Sequence, residues 1–174
     1  ELLADLALTS PANHPDKVAR RVQQARNVAE VLQRIRADVL LVNEFDLDLD
    51  GRPGASDAPL PASASSQAAQ RFQQNFLGVV QGHAARGYTR PIDYPYRHTP
   101  NTNTGLHSGL DLDRNGQVVA TPGAAGYGND ALGFGQFPGQ YGMTVYSRFP
   151  ILSARSFQTF RWADMPGNLL QNDP

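Results

Sequence analysis

The stretch "VLLVNEFDLDLDG", Val39 to Gly51, runs an apolar segment directly into acid. Val39–Asn43 suits a short buried strand. Glu44, Asp46, Asp48 and Asp50 then follow at alternate positions. Only 18% of the chain is charged, so this concentration needs a reason. Three readings stay open on the residues alone: a solvated turn, a calcium loop, or a catalytic metal site. The third has a positional argument. A carboxylate at the C-terminal end of a buried strand sits where open α/β sheets place their ligands. A hard cation such as Mg²⁺ takes one or two protein carboxylates and fills its remaining positions with water and substrate phosphate oxygens.

Upstream, "NHPDKVARRVQQARNVAEVLQRIRADV" predicts a helix, with Val18, Val22, Ala25, Ala29, Leu32 and Ile35 on one apolar face. Asn13 or His14 is placed to cap it, and Pro15 fits its first turn. The basic residues from Lys17 to Arg36 fall mostly on the other face, as a solvated surface or a phosphate-binding one. A helix feeding an apolar strand through Ala37-Asp38 points to the α/β class, with a sheet covered by helices.

Downstream, residues 51–66 are a Pro/Ala/Ser/Gly loop. A second helix is predicted from about Ser66 to Gln81, with Ala69, Phe72, Phe76 and Val79 or Val80 inward. From Gly82 to Gln140 regular periodicity fades. Tyr88, Tyr94, Tyr96, Tyr127, Phe134 and Phe137 argue for an ordered, loop-rich surface there. "YGMTVYSRFPI" returns to strand character, and the alternation in "ARSFQTFRW" predicts another strand. No internal repeat is present.

Composition excludes several classes. The 174 residues suffice for one domain with a core. The formal net charge of -1 and the lack of a basic stripe leave no electrostatic footprint of a nucleic-acid binder. Zero cysteines rules out disulfides, thiolate metal sites and cysteine nucleophiles. No apolar run spans a bilayer, and no signal peptide is visible. The four histidines, His14, His83, His98 and His107, lack metal-ligand spacing. There is no G-x-S-x-G, P-loop or G-x-G-x-x-G.

Two loop motifs remain. "DLDRNG" places Asp111, Asp113 and Asn115 at alternate positions before Gly116, as an EF-hand-type calcium loop begins, but its twelfth position is Pro122. A tight hairpin turn on Asn115-Gly116 is the other reading. "NTNTGLHSG", Asn101 to Gly109, is dense in hydrogen-bonding groups that hold a polar ligand or bond their own backbone. His107 within it is a base, a phosphate donor or one more polar loop residue.

Three segments in order, "RADVLLVNEFD" (36–46), the "NTG…SG" loop (103–109) and "GQYGMTVYSRFPI" (139–151), resemble the endonuclease/exonuclease/phosphatase superfamily, the DNase I-like fold. The closest likeness is to a secreted bacterial branch, and "RSFQTFRWADMPG" (155–167) continues its pattern. The resemblance covers residues 17 to 167. It implies a four-layer α/β sandwich with mixed β-sheets, and divalent-metal-dependent hydrolysis of phosphoester substrates with Mg²⁺ or Mn²⁺. It makes Glu44 the metal-binding glutamate and puts Asn43 where a glutamine often stands. Ser147-Arg148 matches the "SR" closing the later strand, with Arg148 either a bidentate phosphate ligand or a surface arginine at a strand end. Gln140 falls where some members have a catalytic tyrosine, next to Tyr141. Asn103, Thr104, Gly105 and His107 form a substrate-side loop. A secreted or periplasmic location is implied as well.

The family's first strand, ending in a metal-site Asn, and its later "GDxN" and "SDH" motifs do not occur in this sequence. The chain therefore reads as about the N-terminal half of such a domain, inactive by itself, with a sheet face free to pack against a second copy. The rivals are a calcium-stabilised binding module resting on Asp111, Asp113 and Asn115, and a superfamily member that kept the fold and lost the chemistry.

Overall fold

A computed structural model describes residues 7–8, 16–47, 67–82 and 89–169. The expected helix caps Asn13 and His14, the first-turn Pro15, the acids Asp48 and Asp50, the 51–66 loop, His83 and Tyr88 lie outside the described residues.

Helix α1 spans Asp16–Ile35, with Asp16 in its first turn and Arg34 in its last, each sign matching the helix dipole. Arg36, at φ 55°, ends it in the left-handed conformation, and its N–H bonds the Leu32 carbonyl at 2.8 Å. Val22 and Ala29 are fully buried, with Val18, Ala25 and Leu32 packed beside them. The predicted face departs from the observed one at its end. Ile35 is 65% exposed and Gln33 is completely buried. Gln33 follows Val22 and Ala29 along one helical stripe, whereas Ile35 has rotated two residues past it.

The burial of Gln33 has a polar cause. Its Nε2 donates to the carbonyls of Phe76, Leu77 and Val79, and its Oε1 accepts the Gln81 N–H at 3.0 Å. One amide thus ties α1 to the end of the second helix. Gln33→Leu is expected to cost about 2 kcal/mol, because it leaves the Gln81 N–H buried without an acceptor. A lowered urea midpoint at unchanged m-value checks this.

The second helix, α2, is α-helical over Gln67–Phe72 and continues as a π turn over Gln73–Leu77. The Gly78 N–H reaches back five residues to the Gln73 carbonyl at 2.7 Å. That wider turn ends the helix at Leu77 rather than at Gln81. Ala69, Phe72 and Phe76 are buried as expected, joined by Leu77, but Val79 and Val80 lie beyond the helix and are exposed.

Strands β1 (Val39–Asn43), β2 (Tyr96–His98) and β3 (Met143–Ser147) form one sheet in the order β1-β3-β2. Both pairings are antiparallel, with Val39 opposite Ser147 and Asn43 opposite Met143. The resemblance implies mixed sheets; the sheet of the described residues is antiparallel throughout. β2 is too short for its period to show in the sequence. The expected strand at "ARSFQTFRW" does not form. Residues 151–161 are irregular and largely exposed, with the Phe160 N–H turning back to the Phe157 carbonyl. No neighbouring strand among the described residues offers them a ladder.

One sheet face packs on the helices. Leu40, Val42, Thr144 and Tyr146 point to it, and Tyr146 is completely buried. Its ring lies against Phe72 and Tyr94, and Phe72 meets Phe45 and Phe76, with centroids 5.7–6.2 Å apart. Burial raises the Tyr146 phenol pKa far above its ordinary value, and its hydroxyl donates to the Ala69 carbonyl. The other face carries no helix among the described residues. Val39, Leu41, Tyr96 and Met143 stand exposed on it.

Candidate functional site

The alternation of the strand breaks at Glu44: Leu40 and Val42 face the helices, but Glu44, two residues on, faces outward. Phe45 and Leu47 are buried, Asp46 is half-buried and Glu44 is exposed. Phe45 anchors in the aromatic core, so its neighbour must face outward. Glu44 also holds φ 56°, a left-handed conformation that a non-glycine residue adopts at a cost and keeps only when its surroundings impose it. Among the described residues no hydrogen bond or ion pair engages its carboxylate.

The surroundings are the other two motifs. The Phe45 N–H bonds the Gly142 carbonyl at 3.0 Å and the Leu47 N–H bonds the Gly139 carbonyl at 2.8 Å. The Gly139 N–H in turn bonds the Thr104 carbonyl at 3.0 Å. A chain of backbone bonds therefore joins "NEFD", "GQYG" and the "NTG" loop. Glycine is needed at these approaches. A Cβ on Gly142 would stand 2.9 Å from the Phe45 oxygen, and one on Gly105 only 1.9 Å from the Phe137 oxygen. Gly105 is held further by the Gly133 carbonyl on its N–H and by the buried Tyr127 hydroxyl on its own carbonyl.

The candidate residues divide into those near this junction and those drawn elsewhere. Asn43 is exposed and pairs with Met143 on the open face of the sheet. Tyr141 is exposed and, like Glu44, left-handed at φ 58°. Gln140 turns inward, its Oε1 accepting the Gln136 N–H at 2.6 Å. Asn103 donates to the Gln158 carbonyl, and Gln158 answers by donating to the Thr102 carbonyl. Thr104 shares a hydroxyl bond with Thr102. His107 stacks on Tyr127, with its Nε2 buried and unpartnered among the described residues.

Arg148 is not brought to Glu44. Its N–H bonds the Asp38 carbonyl and its guanidinium pairs with the Asp38 carboxylate at 3.0 Å. Asp38 precedes β1 and Glu44 follows it, a separation of roughly 15–20 Å at the rise of a strand. The antiparallel register therefore sends "NEFD" and "SR" to opposite ends of the sheet.

The loop at Asp111 makes a tight turn, but not a hairpin: no strands flank Asn115-Gly116. Asp111 accepts the Asn115 and Gly116 N–H groups, Asp113 accepts the Asn115 N–H, and Asn115 accepts the Gln117 N–H. The structure adds Asp130, which no spacing in the sequence connects to the motif. Carboxylate oxygens of Asp111, Asp113 and Asp130 lie within 4.8 Å of one another. Asp130 is buried, and its two oxygens take the Leu112 and Val119 N–H groups. The Val119 N–H is the leading cause that holds its pKa below the ordinary aspartate value; burial opposes it, and Leu112, Asp113 and His107 assist.

A depressed folded-state pKa contributes stability that is complete above the unfolded value and fades as pH falls through the folded one. In chelator, Asp130→Asn is expected to lower the melting temperature at pH 7, with the gap to wild type closing below about pH 4. A gap that stays constant down to pH 3 rejects this role.

A divalent cation fits the Glu44 position by donor chemistry. Its exposed carboxylate, without a partner among the described residues, is the donor type that a hard ion shares with water and phosphate oxygens. The second acidic group, Asp111, Asp113 and Asp130, offers several oxygens already oriented by backbone donors. Neither the curated proteins nor the solved structures yield a match to this chain. The family model described as Endonuclease/Exonuclease/phosphatase family matches residues 12–174. That match spans nearly the whole chain, and the protein belongs to the endonuclease/exonuclease/phosphatase family, whose members fold as DNase I-like α/β proteins and hydrolyse phosphoesters.

Proposed function

We propose that this chain serves divalent-metal-dependent phosphoester hydrolysis, with Glu44 as the carboxylate that holds Mg²⁺ or Mn²⁺. The observation that carries the reading is the exposed, left-handed Glu44, unpaired among the described residues, with the "GQYG" segment bonded beside it and the "NTG" loop bonded to that segment. When bound, the ion supplies charge stabilisation for phosphoryl oxygens. The chain's own residues do the positioning. Phe45 and Leu47 lock the strand end, and Gly139 and Gly142 admit the neighbouring backbone. Tyr141 and Asn43 present exposed polar groups on the flanking residues, where a substrate phosphate or its leaving group would be met.

In this reading the 174 residues supply about the N-terminal half of a four-layer sandwich. The groups that activate water belong to "GDxN" and "SDH" segments, which this sequence does not contain. The 174 residues alone are then inactive in this reading, and the likeness to a secreted branch supports a location outside the cytoplasm. The open sheet face with Val39, Leu41, Tyr96 and Met143 is the surface such a second half would cover. Without it, two copies pair sheet to sheet, and a clean monomer by sizing would sink that expectation. The functional test is hydrolysis of an aryl phosphomonoester and an aryl phosphodiester, with Mg²⁺ and with chelator, by a chain that includes both segments. Equal rates in chelator would reject metal dependence.

A second reading is favoured by one observation, the convergence of Asp111, Asp113 and Asp130. Here Ca²⁺ binds that loop and stabilises it. A calcium-dependent rise in melting temperature, removed by Asp111→Ala and left intact by Glu44→Gln, distinguishes this site from the first.

A further inference from the structure

Beyond Asn43 and Met143 the pairing of the two segments slips and then recovers. Continued register would set Phe45 opposite Tyr141 and Leu47 opposite Gly139. The Leu47 N–H does bond the Gly139 carbonyl, but the Phe45 N–H bonds the Gly142 carbonyl, one residue out of step. Asp46, between them, therefore faces two residues, Gln140 and Tyr141. Two residues opposite one is the pattern of a bulge, formed here where the turn of residues 138–141 meets the end of the ladder, and it leaves an N–H without a ladder partner. The two left-handed non-glycine residues of this region, Glu44 and Tyr141, flank the slip on opposite strands. The N–H set free is that of Tyr141, and it bonds the Asp46 Oδ1 at 3.3 Å.

We propose that Asp46 is a positioning residue for Glu44: its carboxylate caps the bulge at Tyr141 and so holds the backbone conformation that turns Glu44 outward. The proposal rests on the reading of Glu44 as the metal carboxylate. It also gives a use for a side-chain acceptor oxygen at position 46, between two buried side chains. A left-handed residue costs about 1–3 kcal/mol and needs fixed surroundings. Phe45 and Leu47 hold one strand by burial, and Asp46 ties the other strand to it. The Tyr141 N–H needs only an acceptor oxygen there, which asparagine also offers.

The test compares Asp46→Ala with Asp46→Asn. On the described chain, the exchange of the Tyr141 amide proton is expected to accelerate in Asp46→Ala and to stay near wild type in Asp46→Asn. On the chain that completes the domain, Asp46→Ala raises the Mg²⁺ concentration for half-maximal hydrolysis by ~10–100-fold, as for lost support of a metal ligand, with KM at saturating Mg²⁺ little changed. Asp46→Asn restores the Mg²⁺ dependence to within about threefold on the same scale. Asparagine as damaging as alanine overturns the proposal and makes Asp46 a direct ligand. Unchanged Tyr141 exchange in Asp46→Ala overturns it too. If instead Glu44→Gln leaves the Mg²⁺ dependence intact, the reading of Glu44 fails, while the exchange result still decides whether Asp46 caps the bulge.

Discussion

Glu44→Gln, made in a chain that completes the family domain, is expected to reduce metal-dependent hydrolysis by ~10³-fold or more, a loss of several kcal/mol of transition-state stabilisation. The substitution is nearly isosteric, so the aromatic core behind Phe45 is untouched. No hydrogen bond or ion pair among the described residues engages the Glu44 carboxylate, so its charge does not hold the fold. The melting temperature in chelator should therefore match wild type, separating a lost ligand from a lost fold. Activity within tenfold of wild type at ordinary Mg²⁺ would reject Glu44 as the ligand.

Gly105→Ala is expected to cause the largest loss of stability, about 3 kcal/mol or more. Gly105 sits at φ 70°, and its added Cβ would meet the Phe137 oxygen at 1.9 Å and the Phe137 carbonyl carbon at 2.6 Å. Both are backbone atoms, so no side chain can swing away. Relief requires moving the "NTG" loop, which breaks its bonds to Gly133 and Tyr127 and loosens the Thr104–Gly139 link toward the Glu44 strand. Gly109→Ala is the matched control. Gly109 has φ 79° with nothing within 4 Å, so it incurs only left-handed strain of about 1–2 kcal/mol. Urea unfolding of both variants isolates the clash. Equal losses would mean that close approach at Gly105 plays no part.

The fold elements visible in the sequence were those with a long period or a strong local pattern. The helix from Asp16 and the strands Val39–Asn43 and Met143–Ser147 sit where apolar spacing puts them, because burying one face selects period 3.6 or 2. Gln33 escaped that logic. A buried amide looks polar in a pattern, and only the carbonyls that it meets on another helix make it a core residue. The strand at Tyr96 was too short to carry a period, and "ARSFQTFRW" carried one without a partner to realise it.

The candidate site divides along the same line. Glu44 could be picked out from its place after an apolar strand, but alternation alone would turn it inward with Leu40 and Val42, and its left-handed backbone reverses that. The Asp111, Asp113 and Asn115 turn was legible for the same reason, as short side chains bonding their own backbone. That Asp130 joins those acids, that Arg148 stands at the far end of the sheet, and that Asp46 reaches Tyr141 all depend on pairing between distant segments. Local sequence marks the candidate residues at a strand end. Which of them meet is set by strand direction and register, and here an antiparallel pairing with a one-residue slip brought "GQYG" to Glu44 and carried Arg148 away.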